Sequence, residues 1–445
     1  MTEGIVAAPT PRVAPAERRP LARAFIILVG LGLVFYTTYP FANWVASQRT
    51  NVPSIVFAWE HSIPFLPWTI IPYWTTNLFY AASVPLCRTR RELDSHAKRL
   101  LTAQLVAVSC FLAFPLKFSW PKPDTSGLFG AFFEALGAFD KPFNQAPSLH
   151  VALTVILWAF YAKILPRPWR WLFGGWSILV VASVLTTFQH HFIDIPTGLL
   201  LGLTCIWLFP STGSTPLRDW GLTHDPRRRR LASFYALAAL VLAALAALLG
   251  SIALWLLWPA FALAAVALAY LALGPALFAK TGDGTMPQAA KWLLGPYLLG
   301  AWLNSRLWTR TDPAIVEIVP NLFLGRFPSA QDLRPFAAVV DLTAELPRPA
   351  YAGTWRNIAM LDLVAPAPSA LKTAAEAIEE LRGCGPVLVC CALGYGRSAA
   401  TLATWLVRSG RAADSAAALE LLRAKRPRLH VNAAQRAAIE EALRG

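Results

Sequence analysis

Charge is scarce in this chain. Of its 445 residues only 15% are Asp, Glu, Lys or Arg, whereas 56% are hydrophobic, and the mean hydropathy is +0.46. That composition excludes an ordinary soluble protein and requires lipid to cover much of the surface. Acidic residues are scarcer than basic ones, 25 against 40, giving a formal net charge of +15. On so apolar a chain the excess is first a topology signal and an attraction to anionic headgroups. Nucleic-acid binding is the weaker reading, because the basic residues cluster in short loops beside apolar runs. Cysteine is sparse as well. Cys87, Cys110, Cys205, Cys384, Cys390 and Cys391 show neither metal-ligand spacing nor a disulfide framework, so no metal or cofactor is expected. A small-residue cleavage site is also missing. The N-terminus is Pro/Ala-rich, then basic, and the apolar run that follows is long, so it reads as an anchor rather than a signal peptide.

What is present is a series of apolar runs. A membrane span needs roughly 20 mostly apolar residues. Eight candidates lie near residues 22–45, 66–87, 100–118, 147–165, 170–189, 193–210, 232–250 and 252–279. A further stretch, 289–308, is Trp-rich, interrupted by Gly295-Pro296 and edged by Lys291 and Arg306, and reads as an interfacial helix. From residue 313 polar residues return and apolar runs shorten to strand length, the pattern of a soluble α/β domain. The expected organisation is therefore an N-terminal tail (1–21), a membrane domain (22–210), a basic loop (211–231), two more spans with the interfacial helix (232–312) and the α/β domain (313–445). The basic segments "ERRPLAR", "CRTRRELDSHAKR", "PRPWR" and "DPRRRR" all fall on one side of eight spans. That side is expected to be cytoplasmic, which places the C-terminal domain in the cytoplasm. Residues 46–65, 119–146 and 190–193 then face outward.

Only seven histidines occur, and three sit at the outward ends of spans: His150, His190 and His191. Titratable groups at membrane depth are costly and default to function. His190 and Asp194 are four apart, hence on one face of a helical turn, where a carboxylate fixes the imidazole tautomer. One histidine would attack phosphorus while another protonates the leaving oxygen. Lys117 and Lys122 nearby suit a phosphate or diphosphate. His191 reads as structural. These residues resemble the type 2 phosphatidic-acid phosphatase (PAP2) superfamily over roughly Lys117 to Gly198. Pro147-Ser148-Leu149-His150 matches the motif carrying the general acid. Ser183, His190 and Asp194 match the motif with the nucleophilic histidine and its orienting aspartate, but Val184 stands at that motif's arginine position. The resemblance implies a helical bundle, with Ser148, Lys117 and Lys122 as phosphate ligands. The altered motifs look more like the sphingomyelin and inositol-phosphorylceramide synthase branch, which adds headgroup transfer to hydrolysis.

A second site is legible in "PVLVCCALGYGRSAATLATWL", where an apolar strand meets a Gly-punctuated loop and then a helix. Cys391 and Arg397 are spaced Cys-x5-Arg, followed by Ser398. A loop closing on a helix N-terminus turns backbone N–H groups toward a phosphate. Gly394 and Gly396 allow the tight path. Arg397 suits two phosphoryl oxygens, and the positive field favours the thiolate form of a cysteine, the form that attacks phosphorus. The motif and its setting resemble the dual-specificity branch of the protein tyrosine phosphatases over about residues 313–445. That resemblance implies Asp362 as general acid, Ser398 as a partner for the cysteine sulfur, and Asp341 as a strand-end residue. Cys390 stands where the family usually has histidine; it reads first as a buried strand-end residue, and its adjacency to Cys391 leaves reversible oxidation as a second hypothesis. The loop interior carries no lysine or arginine, which argues against polyphosphoinositides.

The combination is similar to known bacterial fusions of these two families. It implies a multi-pass protein of the bacterial inner membrane with a helical membrane domain and a cytoplasmic α/β phosphatase. The expected partners are membrane lipids, a phosphorylated lipid substrate and a phosphoprotein. Val184 and Cys390 keep a second class open, a membrane-tethered phospho-binding regulator or scaffold.

Overall fold

The computed structural model describes residues 18–444. Residues 1–17, most of the expected N-terminal tail, lie outside them. The chain divides into two compact units, one ending at Cys205 and the other beginning at Ile206.

The first unit is helical: α1 (Leu21–Ser47), α2 (Ile70–Ser83), α3 (Arg90–Ala113), α4 (Gly127–Phe139), α5 (Leu149–Ile164), α6 (Arg167–Thr186) and the start of α7 (Asp194–Leu208). The predicted spans all fall on helices, but they are unequal. Among the described residues only α1, α6, α8 (Pro226–Leu249) and the segment Ser251–Phe278 are both long and apolar enough to cross a membrane alone. Helices α5 and α7 are apolar but have 16 and 15 residues, and α3 spends its first half on charged residues. The stretch 119–146, read from sequence as a loop, contains the apolar helix α4. In α3, Thr89 caps the helix by accepting the N–H of Glu92 at 3.2 Å, while the Glu92 carboxylate accepts that of Arg88 at 2.7 Å.

Two glycines set the approach of α7 to α5. A Cβ on Gly198 would lie 2.6 Å from the Ser148 carbonyl oxygen, and one on Gly202 would lie 2.7 Å from that of Ala152. A Gly-x-x-x-Gly face lets two apolar helices touch along their backbones, where packing rather than hydrophobic exclusion drives association. The first turns of α5 and α7 meet for this reason.

In the second unit, α8 turns at Gly250 (φ 57°) into residues 251–278, which include α9 (Leu257–Leu268) and a π turn at Ala269–Leu273. Arg228 donates to the π-turn carbonyls of Tyr270 (3.1 Å) and Ala269 (3.3 Å), joining the two arms of the hairpin. The interfacial stretch forms two helices, α10 (Gln288–Leu293) and α11 (Gly295–Trp308). The break falls at Leu294, and Gly295-Pro296 opens α11, where proline's missing N–H costs nothing.

The α/β domain has five strands, β1 (Ile315–Val319), β2 (Leu322–Arg326), β3 (Ala338–Thr343), β4 (Thr354–Met360) and β5 (Val387–Cys391), in the order β1-β2-β5-β3-β4. Only β1 and β2 are antiparallel. Helices α12 (Pro368–Arg382), α13 (Arg397–Arg408), α14 (Ser415–Lys425) and α15 (Ala433–Arg444) share one core with a face of the sheet. β5 is buried throughout, as its unbroken apolar run requires of a central parallel strand. Val387, Leu388 and Val389 are fully buried, each worth about 1.5–3 kcal/mol on leaving water. Strand alternation sends Val387, Val389 and Cys391 into the helix-covered core, while Leu388 and Cys390 join Phe327, Leu333 and Trp355 on the other face.

Candidate functional sites

The histidine site forms where α5 and α7 begin. Ser148 is the N-cap of α5, and its backbone N–H donates to the Asp194 carbonyl at 3.1 Å. His190 Nδ1 lies 2.9 Å from Asp194 Oδ2, and its Nε2 lies 3.2 Å from Ser148 Oγ. A carboxylate accepts, so Nδ1 carries the proton. Nε2 then presents its lone pair, and Ser148 donates to it. The His191 N–H also donates to Asp194 Oδ2, at 3.2 Å. His150 stacks on Tyr73 with ring centroids 3.8 Å apart, and its Nε2–H donates to the Tyr73 carbonyl at 3.0 Å, leaving Nδ1 to exchange a proton. It lines a cleft of about 240 Å³ with Asp140, Tyr39, Tyr73, Phe35 and Leu153.

Lys122 reaches the site by donating to Gln189 Oε1 at 2.8 Å, one residue before His190. Lys117 does not join it: its side chain is exposed, and its N–H is tied to the Pro53 carbonyl at 2.9 Å. Val184 is fully buried and packs with Ile70, Tyr73 and Val151, so the position where the family motif carries arginine is part of the apolar core. Its carbonyl accepts the His190 N–H at 3.0 Å. His191 has partners of its own, Glu60 Oε2 on Nδ1 at 3.1 Å and Ser119 Oγ on Nε2 at 3.1 Å. Sequence reasoning passed over Glu60, Tyr73 and Asp140, which come from separate elements with no motif between them.

The cysteine site is the loop between β5 and α13. Cys391 Sγ lies 3.1 Å from Ser398 Oγ and accepts the Gly394 N–H at 3.3 Å. Gly394 has φ 74°, and a Cβ there would sit 2.7 Å from the Gly325 backbone. Gly396 has an ordinary negative φ and is the N-cap of α13. Arg397 is 1% exposed and clamped by Glu345, with Nη2–Oε1 at 2.7 Å and Nη1–Oε2 at 3.0 Å. Nη1 also donates to the Met360 carbonyl at 2.9 Å, and Nη2 lies 3.2 Å from Asp362 Oδ1. Its buried Nε–H has no partner among the described residues and is the donor left to a phosphoryl oxygen. Burial works to lower the basicity of Arg397, but the Asp362 and Glu345 carboxylates outweigh it and hold the guanidinium charged. Burial likewise works to raise the Glu345 carboxyl, and the charge of Arg397 reverses that, holding it below its ordinary value.

Asp341 is buried in β3 and ion-paired with Lys280, whose ammonium also donates to Thr343 Oγ1 at 2.9 Å and the Thr343 carbonyl at 3.0 Å. Arg426 braces the loop from below, donating to the Leu393 carbonyl at 3.2 Å, and Ser305 of α11 donates to that of Ala392. Glu345, Arg426, Lys280 and Ser305 were all missed from sequence. Only Glu345, a carboxylate just after a buried strand, carried any signal. Cys390 is the buried residue near the strand end that the sequence suggests, and the geometry disfavours the oxidation hypothesis. Neighbours in one strand point to opposite faces, which keeps the Cys390 and Cys391 sulfurs apart. Burial also pushes the Cys390 thiol well above its ordinary value, so it stays a thiol. Among the described residues no three His, Cys, Asp or Glu side chains converge as metal ligands.

The PAP2 superfamily matches residues 68–208, a range that contains every member of the histidine site named above except Phe35, Tyr39 and Glu60. Residues 334–411 match the DSP-PTPase phosphatase of polymorphic toxin systems, across the whole Cys391 loop. The chain carries a PAP2 superfamily domain followed by a dual-specificity-type phosphatase domain. Among solved structures, 30% of this chain aligns with 95% of human DUSP28, at 24% identity and a TM-score of 0.28. An equal share aligns with 99% of Tk-PTP in its active form, at 27% identity and a TM-score of 0.27. No curated protein matches the chain. Both domains are of phosphoric monoester hydrolase type, and the four long apolar helices make this a membrane protein.

Proposed function

We propose that the chain is a bifunctional membrane phosphatase with two covalent phospho-enzyme sites. The supporting observation is that each candidate nucleophile sits in hydrogen bonds that define its reactive form. His190 has Nδ1 tied to Asp194 and Nε2 lone pair facing Ser148. Cys391 has Sγ held by Ser398 and the Gly394 N–H, with Arg397 at the same loop.

At the first site His190 Nε2 attacks phosphorus, and the bond to the leaving oxygen breaks as His150 protonates it. Asp194 stabilises the imidazolium that forms. Water, or the hydroxyl of an acceptor lipid, then takes the phosphoryl group, so the same geometry serves hydrolysis and transfer. At the second site the Cys391 thiolate attacks phosphorus, the P–O bond breaks and Asp362 gives its proton to the leaving alkoxide. Water then cleaves the P–S bond, returning a proton to Asp362. Ser398 stabilises the departing thiolate. Arg397 and the loop N–H groups balance charge on the phosphoryl oxygens throughout.

In this reading the Cys391 domain is cytoplasmic and the histidine site faces outward, which the positive-inside bias of the basic segments supports, and the likeness to bacterial fusions favours an inner membrane. Purified full-length protein is assayed on p-nitrophenyl phosphate and on phosphatidic acid in mixed micelles. Cys391→Ser abolishes the first activity, and adding His190→Ala to Cys391→Ser abolishes the phosphate release from the lipid that remains. Lipid phosphate release that Cys391→Ser retains and His190→Ala leaves undiminished sinks the first assignment. Aryl phosphate turnover that survives Cys391→Ser sinks the other.

A further inference from the structure

The cysteine site borders a cleft of about 680 Å³ whose wall includes Glu345 and Asp362, the partners of Arg397, and Ala392 and Leu393 of the Cys391 loop. The rest of its wall is helical: Tyr235 from α8, Pro259 and Leu263 from α9, and a stripe along α11 that includes Tyr297, Gly300 and Asn304. α8 and α9 belong to the two candidate membrane spans of this unit.

The cleft has a direction. At its catalytic end the Asp362 carbonyl accepts the Tyr270 hydroxyl at 3.1 Å, so Tyr270 marks the level of the chemistry on the hairpin. That level is polar, because Arg228 of the basic run donates to the Tyr270 and Ala269 carbonyls. Leu263 and Pro259 lie seven and eleven residues back along the same segment. At 1.5 Å per residue that is about 10 and 16 Å from the polar level. A wall that starts at a phosphate loop and runs this far along an apolar span has the dimensions of a headgroup followed by a hydrocarbon chain. Tyr235, stacked on Tyr270 at 5.5 Å and edge-on to Tyr297 at 5.9 Å, closes the cleft with ring faces. Gly300 leaves room on α11, and Asn304 supplies a polar group on the same face.

We propose that the Cys391 site takes a membrane-embedded phosphomonoester lipid, its phosphate at Arg397 and its apolar chain lying between α9 and α11. This rests on the reading of Cys391 as the phosphatase nucleophile. A phosphoprotein is disfavoured because a peptide backbone laid along an apolar span leaves its N–H and C=O groups unsatisfied.

The test uses the full-length chain in phosphatidylcholine nanodiscs, carrying His190→Ala so that the other site contributes nothing. Phosphate release is compared for dioleoyl phosphatidic acid, dihexanoyl phosphatidic acid, a phosphotyrosine peptide and p-nitrophenyl phosphate. The long-chain lipid has the highest kcat/KM, and Leu263→Trp lowers the long-chain to short-chain ratio by at least about tenfold, since each buried methylene counts. Leu237→Trp, on an exposed position outside the cleft, leaves that ratio where it was. A ratio unmoved by Leu263→Trp, or a phosphopeptide preferred over the long-chain lipid, overturns the proposal. A second readout needs no turnover. Diazirine-tailed phosphatidic acid is photolysed with the Cys391→Ser protein, and adducts are mapped by peptide mass spectrometry. Adducts on α9 and α11 that excess dioleoyl phosphatidic acid removes support the tail site even if aryl phosphate turnover fails. Their absence refutes it even if that turnover is robust.

Discussion

Gly394 and Gly396 flank one tyrosine in the same loop, yet the structure gives them opposite tolerance to a methyl group. Gly394 has φ 74°. Alanine in that region costs about 1–2 kcal/mol. Its Cβ would also meet the carbonyl carbon and oxygen of Gly325 at 2.7 Å and the Arg326 nitrogen at 2.9 Å. These atoms are in β2, which pairs with β5 across this register, and the Arg326 N–H is bonded to the Ala314 carbonyl at 3.0 Å. The strand has little room to yield, so the loop must. Moving from 2.7 Å to an ordinary contact of 3.4 Å is a shift of about 0.7 Å. The group displaced is the one whose N–H holds Cys391 Sγ. A misplacement near 1 Å costs on the order of 10²-fold in rate. Gly396 has φ −107°, and its Cβ would meet the tip of Gln435 at 3.3 Å and the His430 carbonyl oxygen at an ordinary 3.6 Å. Gly394→Ala is therefore expected to lower kcat/KM for p-nitrophenyl phosphate about 100-fold, and Gly396→Ala no more than about threefold. Melting temperatures of the two full-length variants, taken alongside, separate a displaced loop from an unfolded domain. The reasoning fails if Gly394→Ala keeps a third of the wild-type rate, or if both variants fall equally.

Three further outcomes follow from particular contacts. Gly198→Val forces α7 off α5 at the Ser148 carbonyl, an overpacking of about 1–3 kcal/mol. It should abolish the phosphatidic acid phosphate release that Cys391→Ser retains, while sparing aryl phosphate turnover in the chain with Cys391 intact, and equal loss of both refutes the helix-contact account. Glu345→Gln removes the charge that clamps Arg397 and should lower stability by about 1.5–3 kcal/mol at neutral pH. Because Glu345 is held below its ordinary value of 4.5, its contribution is present above that pH and is lost as pH falls through the depressed value. The melting-temperature gap between wild type and Glu345→Gln should thus shrink on acidification, and a gap that widens instead rules the ion pair out as its cause. Cys390→Ser should be inactivated by peroxide, and recover with thiol, as the wild type does. Recovery lost only in the variant contradicts the opposite-face placement of the two sulfurs.

The C-terminal domain was the more legible because its chemistry is local. Seven consecutive residues from Cys391 to Arg397 hold the candidate nucleophile, loop and cation, and the unbroken apolar run before them reads as a buried strand. What sequence did not reveal lies across the sheet or outside the domain. Glu345 reaches Arg397 from 52 positions away, and Lys280 reaches Asp341 from 61. Asp341 read as a strand-end residue because its partner is an ammonium delivered by the segment after the last apolar span. The membrane domain was legible where periodicity meets chemistry, as in the four-residue step from His190 to Asp194. Elsewhere one hydropathy signal covered unequal helices, and α4 was lost inside a presumed loop because an apolar run of 13 residues is too short to claim as a span. Lys117 shows the limit of proximity in sequence. It lies five residues from Lys122, but Lys122 bonds Gln189 while Lys117 is exposed, its backbone committed to Pro53. Val184 shows the reverse. A residue read as a missing phosphate ligand is a core residue whose carbonyl holds the His190 N–H, so arginine there would have to leave the core that positions His190. Of the two lysines singled out, Lys122 is the one whose ammonium reaches this region, at the side chain of Gln189, the residue before His190.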